Sequence, residues 1–311
     1  MNGFLIIVEK LLQSSIKMAA PLTFVGIGES ISEKSGILNI GVEGMMLTGA
    51  FSSFIIYYFT GNLLLGILMS MVISGIIGIV QGFLAISCKG NQTIIGLAIN
   101  FLLLGVTSFI FLMFFGDSVD LPSVNILPVI KIPLLSSIPI IGKVLFHQDI
   151  LVYILYAIIS VSCFIFYKTE WGVQLEAVGE NPSAADTAGL NIFRIRYLAC
   201  FINGILCGLG GAYMTVSQFG FFSENITAGR GYIALAAVTL GRRNPALVFC
   251  ASLVIGFTES LQYTLQSMNF GIPSQVFTML PYIIAVVVLL LSIGKDNNPR
   301  SLGIPYDRNE R

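Results

Sequence analysis

Charge is what this sequence has least of. Sixteen Lys and Arg and sixteen Asp and Glu make 10% of its 311 residues, where a soluble domain carries roughly 25%. With 55% hydrophobic residues, no core of ordinary size could hide the apolar surface from water. The expected home is lipid, and one integral membrane domain fits better than the two soluble domains that length alone would suggest. The net charge of zero excludes nucleic acid as the main partner, because phosphate binding needs a basic patch. Histidine is nearly absent. The single His147 stands beside Gln148 and Asp149, too little for a hydrolytic triad or a histidine metal site, so no catalytic and no metal residue is expected. No Cys-x-x-Cys occurs, and the five cysteines lie in or at the ends of apolar runs, where a thiol behaves as a small hydrophobe. No G-x-x-x-x-G-K-[ST] occurs either, so the chain has no P-loop for ATP, and no cofactor is expected in it.

What the chain does have is apolar runs of spanning length, about 20 residues for a helix. They cover roughly 4–28, 38–59, 63–87, 94–116, 150–167, 197–218, 245–265 and 279–293. A ninth, 229–241, is short and reads as a half-length or re-entrant helix. The fold expected is all-α and polytopic, with eight or nine transmembrane helices. Glu9, Lys10 and Lys17 interrupt the first run, whose start reads as an interfacial amphipathic helix rather than a cleaved signal. If the connector 168–196 is cytoplasmic and the spans alternate, eleven basic residues fall inside, among them Lys34, Lys89, Arg196, Arg243 and Arg308. Only Lys131, Lys143 and Arg230 fall outside, as the positive-inside rule requires. The domain expected is then 1–294, with 117–149 an extracytoplasmic loop holding short strands or a hairpin. The tail 295–311 is expected to be polar, cytoplasmic and disordered.

The connector 168–196 carries a helix signal, with Asn181 as N-cap, Pro182 at the first helical position and Gly189 at the end. Gly78 and Gly82, and Gly204, Gly208 and Ala212, stand four apart, the spacing that lets helix backbones approach closely. Glu43 and Glu259 are the ionisable residues expected inside spans, with Gln262 on the face of Glu259. Glu43 reads as reaching water or a helix end. Asn100, Asn203 and Gln218 are neutral polar groups in apolar segments, able either to join helices or to line a polar path. The two glutamates lie far apart in the chain and no internal symmetry is visible, which weakens the alternative of an ion-coupled secondary carrier.

Three blocks carry a resemblance: GESISEKSGILNIGVEGMMLTGAF at 28–51, AVGENPSAADTAGLNIFRIR at 177–196 and GRGYIALAAVTLGRRNP at 229–245. In this order they resemble bacterial ABC importer permeases of the branched-chain amino acid and ribose class, simple-sugar and nucleoside branch. That resemblance implies an ATPase subunit as partner, a second and homologous permease chain, an extracytoplasmic substrate-binding protein, and residence in the bacterial cytoplasmic membrane with the C-terminus inside. It implies a coupling helix at 182–188, with Gly179, Asn181, Pro182, Ala184, Ala185 and Gly189 as its contact residues. Nucleosides are the expected cargo, with simple sugars the alternative. A path for them would use Asn100, Phe101, Asn203, Gln218, Glu259 and Gln262, with Phe219 and Phe221 as further aromatic faces.

Overall fold

The computed structural model describes residues 2–116, 122–132, 141–268, 273–292 and 298–308. Helices dominate. Helix α1 (Asn2–Lys34) is followed by α2 (Val42–Thr60), α3 (Leu63–Gly82, prolonged by a π-helical turn to Ser87) and α4 (Gln92–Phe115). A small unit comes next: β1 (Val129–Lys131), α5 (Ile141–Phe146) and β2 (His147–Asp149), the strands antiparallel with Ile130 opposite Gln148. Then come α6 (Ile150–Lys168), α7 (Glu170–Glu180), α8 (Pro182–Thr187), α9 (Ile192–Tyr213, prolonged by a π-helical turn to Phe219), α10 (Arg230–Leu240), α11 (Pro245–Ser267), α12 (Ser274–Thr278) and α13 (Leu280–Ser292). Among the described residues, six helices are long and apolar enough to cross a membrane: α2, α3 and α9 with their extensions, α4, α6 and α11. The strands are the pair expected between spans, although residues 117–121 and 133–140 of that loop lie outside the described residues.

Local chemistry sets the ends. Asn62, Asn91, Asp149, Asn191 and Asn244 each accept a hydrogen bond from a backbone N–H in the first turn of the helix that follows, satisfying a donor that the helix leaves orphaned. Helix α1 is continuous and does not begin as a separate interfacial piece. Pro21 lies inside it and has no N–H, so the Lys17 carbonyl four residues earlier loses its helical donor. The Gln218 amide fills the vacancy, donating to that oxygen at 2.5 Å.

The glycine pattern joins helices within the chain. A Cβ on Gly204 or Gly208 would stand 2.4 Å from the Ser74 or Ser70 carbonyl of α3, and one on Gly78 would stand 2.4 Å from the Cys200 carbonyl of α9. Gly211 faces the Met46 carbonyl of α2 at 1.9 Å by the same measure. Helix α9 therefore lies against α2 and α3 with backbone on backbone, the close approach that small residues allow in lipid. Behind it, α1 packs on α9 through Phe24 and Tyr213, both fully buried.

The tail departs from expectation. Residues 298–308 are folded against the bundle: Ser301 and Tyr306 are buried, Ser301 N–H donates to the Gly179 carbonyl at 3.0 Å, and Gly303 N–H donates to the Gly36 carbonyl at 3.1 Å. The error came from judging a polar stretch by its composition. Its few apolar residues and its charges find partners far away in the sequence. Residues 293–297, with Lys295, lie outside the described residues, as does Arg311.

Candidate functional site

The three sequence blocks meet at one end and in the middle of the bundle. Glu29, fully buried in α1, accepts from the Asn39 N–H at 2.9 Å and from the Asn203 amide of α9 at 2.6 Å. One turn on, Glu33 pairs with Arg243 at 2.5 Å, both side chains almost wholly buried. Arg243 sits just beyond α10 with a left-handed φ of 56°; that conformation costs about 1–2 kcal/mol and is held by the ion pair. Arg196, 1% exposed, donates from Nε to the Ser35 carbonyl at 3.1 Å. Glu29, Glu33, Arg196 and Arg243 are all buried; the expected spans stop just short of them, the first at 28, the sixth starting at 197, and Arg243 falling between the half-helix 229–241 and the seventh span from 245.

Glu43 reaches a helix end, one of its two expected roles, and that end belongs to another segment. Its Oε1 accepts from the Thr227 hydroxyl at 2.5 Å and from Gly229 N–H at 2.8 Å, and its Oε2 accepts from Gly231 N–H at 2.6 Å. These N–H groups form the N-terminus of α10, the short helix expected over 229–241. At 11 residues and 1.5 Å per residue, α10 is about half a span long. The Glu43 carboxylate takes both the orphan donors of the first turn of α10 and the positive end of the dipole.

Beside this N-terminus is a cavity of about 220 Å³ lined by Phe219, Ala228, Arg230, Glu259, Gln262, Tyr263, Thr278, Pro281 and Tyr282. Arg230, which charge sorting puts on the outer side, is largely buried, 3.6 Å from Glu259 Oε1, and its guanidinium lies 5.8 Å from the centre of the Phe219 ring, within cation–π range. Glu259 Oε2 is buried and makes no hydrogen bond among the described residues. The cavity thus offers a carboxylate acceptor, an amide, a guanidinium, phenolic hydroxyls and aromatic faces. Such a set suits a small uncharged ligand that carries hydroxyls and a planar ring. A larger cavity of about 330 Å³ between α1, α6, α7 and α9 is lined by apolar side chains and Ser162 and lacks that polar equipment.

The expected path residues divide. Glu259 and Gln262 line the cavity, as does Phe219, whose ring lies 5.9 Å from that of Phe221. Asn100 does not: its amide is spent on the Gly44 N–H, the Ile40 carbonyl and the Tyr232 hydroxyl, at 2.7 to 2.8 Å. Asn203 is spent on Glu29 and Gln218 on Lys17, while Phe101 is 72% exposed on the outer face of α4. Tyr263 and Tyr282 went unnoticed in the sequence, and Arg230 was read there only as a charge. The packing of α10, α11 and α13 on one another brings the three together.

The connector 168–196 folds as its punctuation suggested. Asn181 Oδ1 accepts from Ala184 N–H at 3.1 Å, Pro182 opens α8, and Gly189 has φ +88°. Gly179 and Ala185 face inward: a Cβ on Gly179 would stand 2.1 Å from the Lys34 carbonyl, and Ala185 is buried in the core. Asn181, Ser183, Ala184, Thr187, Ala188 and Gly189 are exposed, with Pro182 partly so. Outside the spans, the Arg308 guanidinium has its pKa raised by its hydrogen bonds to Asp186 and by that carboxylate's charge. His147, by contrast, is lowered by partial burial and by Lys131 and Lys17.

Long apolar helices packed around a short half-helix, whose N-terminus lies beside a polar cavity, are an architecture in which membrane transporters place their binding sites. The chain belongs to the family described as branched-chain amino acid transport system / permease component, whose pattern matches residues 11–292. It is an ABC transporter permease subunit and not itself an enzyme. It is 35% identical to the guanosine ABC transporter permease protein NupQ of Bacillus subtilis, across 98% of each chain. It is 31% identical to TsgC13 of Haloferax volcanii, named as a candidate glucose ABC transporter permease protein, across 95% of this chain and 94% of the other. Among solved structures, an inward-facing conformation of a candidate metal-chelate type ABC transporter shares the fold. There the TM-score is 0.50 and the identity 15%, over 92% of this chain and 85% of that one.

Proposed function

We propose that this chain is the permease of an ATP-driven importer of nucleosides in a bacterial cytoplasmic membrane. Its eight or nine crossings would include α1 and α13, with α10 as the half-span and the C-terminus inside. The observation that carries the cargo is the cavity of Arg230, Glu259, Gln262 and the surrounding rings, which offers a base both stacking faces and hydrogen bonds. The similarity to a guanosine permease over nearly the full length supports the same cargo. Simple sugars are the second reading, favoured by the similarity to TsgC13. Uptake of labelled guanosine and labelled glucose, compared in cells with and without the gene, separates the two. Loss of guanosine uptake is expected; loss of glucose uptake alone overturns the nucleoside reading.

Energy would come from a separate ATPase docked on α8. A second permease chain would complete the path and a binding protein would deliver cargo at the 117–149 side. Nucleotide binding would shift the balance between inward- and outward-open states only by contacting α8 differently in the two. The inward packing of Gly179 and Ala185 makes them supports of this surface, and Ala184 and Thr187 its face. Ala184→Arg is therefore expected to leave the permease folded while cutting cargo-stimulated ATP hydrolysis by the assembled importer about tenfold, within the range of typical coupling energies. Undiminished stimulation would place the docking surface elsewhere.

A further inference from the structure

The C-terminal segment 298–308 runs across the end of the bundle where the three motif blocks meet, and it fastens to three interhelical turns and to α7, α8 and α9. Asn298 accepts from Arg243, at the start of the α10–α11 turn. Ser301 bonds to the carbonyl of Gly179 through both its N–H, at 3.0 Å, and its hydroxyl, at 2.5 Å. Arg196 of α9 donates to the Ser301 hydroxyl at 3.3 Å. Gly303 N–H reaches the Gly36 carbonyl in the α1–α2 turn, and Asp307 pairs with Lys89 in the α3–α4 turn.

The last contacts fall on α8 itself. Asp186 sits on the inner side of that helix with 3% of its side chain exposed. It accepts from the Tyr306 hydroxyl at 2.9 Å and from Arg308 Nε and a terminal Arg308 nitrogen at 2.9 and 2.6 Å. The Tyr306 ring is buried 6.3 Å from that of Phe193 at the start of α9. A helix of six residues is too short to hold its own shape. Its orientation must come from what it is tied to, and a bidentate arginine with a buried tyrosine fixes both position and rotation.

We propose that residues 298–308 are a strap that positions α8, with Tyr306 and Arg308 as positioning residues, so that a push on α8 is passed to α1, α9 and the α10–α11 turn together. The proposal rests on the reading that an ATPase docks on α8, but its structural half can be tested without that reading. A spin label at the exposed Thr187 of the full-length, solubilised permease reports the mobility of α8. Arg308→Ala combined with Tyr306→Phe is expected to raise that mobility, and an unchanged spectrum overturns the strap. Should the double variant fail to accumulate, Arg308→Gln alone, at a residue whose side chain is 64% exposed, carries the same test: raised mobility supports the strap and wild-type mobility overturns it.

In the importer assembled with its partners, the double variant is expected to retain basal ATP hydrolysis and lose about tenfold in cargo-stimulated hydrolysis and in uptake. Wild-type stimulation in the variant overturns the strap as a coupling element. Failure of the native protein to support any stimulation would instead sink the ATP-driven reading, leaving the spin-label result to decide the strap.

Discussion

Replacing Glu43 by alanine is expected to cost the permease about 3–5 kcal/mol, enough to abolish accumulation of most folded protein. The estimate follows from what the carboxylate holds. It accepts from Thr227, Gly229 and Gly231, and all three donors are part of, or adjacent to, the first turn of a helix that begins inside the bundle. Each buried donor left without a partner costs about 1–3 kcal/mol, and lipid or packed protein supplies no substitute. Glu43→Gln keeps an acceptor oxygen but turns the second group into a donor facing the Gly231 N–H, so an intermediate loss is expected. Alanine cannot be accommodated cheaply on the other side of the contact either, since a Cβ on Gly231 would stand 2.7 Å from the Glu43 Cα. The yield of monodisperse protein and its thermal unfolding midpoint check the series. An alanine variant as stable as the parent would mean that α10 does not depend on this cap.

The second large effect concerns the cavity. Breaking a buried ion pair by removing one partner typically costs 3–5 kcal/mol, whereas replacing both by apolar or neutral groups is often tolerated. Arg230→Met alone strands Glu259, whose second oxygen already has no hydrogen-bond partner among the described residues. It should lower both stability and uptake, the latter by at least about tenfold on that energetic scale. The double variant Arg230→Met, Glu259→Gln removes both charges and should recover most of the stability. If the pair serves cargo, uptake stays low in the double variant; if it serves only packing, uptake returns with stability. Thermal unfolding and initial uptake rate, measured on these two variants and on Glu259→Gln alone as a double-mutant cycle, separate the outcomes.

How much of this was legible in advance depends on distance along the chain. The spans, the half-helix at 229–241 and the capping of α8 by Asn181 follow from local composition and from residues three or four apart, which is the range at which sequence speaks about helices. The glycine spacing announced close packing, and α3 against α9 is where the structure spends it. The ionic core was hidden for the opposite reason. Glu33 and Arg243 are 210 residues apart, and Asn203 and Glu29 are 174 apart. Each charge taken alone looked like a loop residue beyond a hydrophobic segment. Asn100 and Asn203 were visible as polar intruders, but type alone could not say whether such an amide faces cargo or another helix. The order of the tail was not legible because eleven polar-leaning residues carry no periodicity, and their partners are three interhelical turns and the helices α7, α8 and α9, all distant in the chain.

The seam between α9 and its neighbours α2 and α3 bears on how such a machine can move. Where Cα atoms rest on carbonyl oxygens at Gly49, Gly78, Gly204, Gly208 and Gly211, there is no cushion of side chains to shear, and a fraction of a helical turn of slippage would drive backbone into backbone. These three helices must travel as one casting. Movement in the transport cycle is then expected outside this seam, where α10, α11 and α13 meet around the cavity of Arg230 and Glu259.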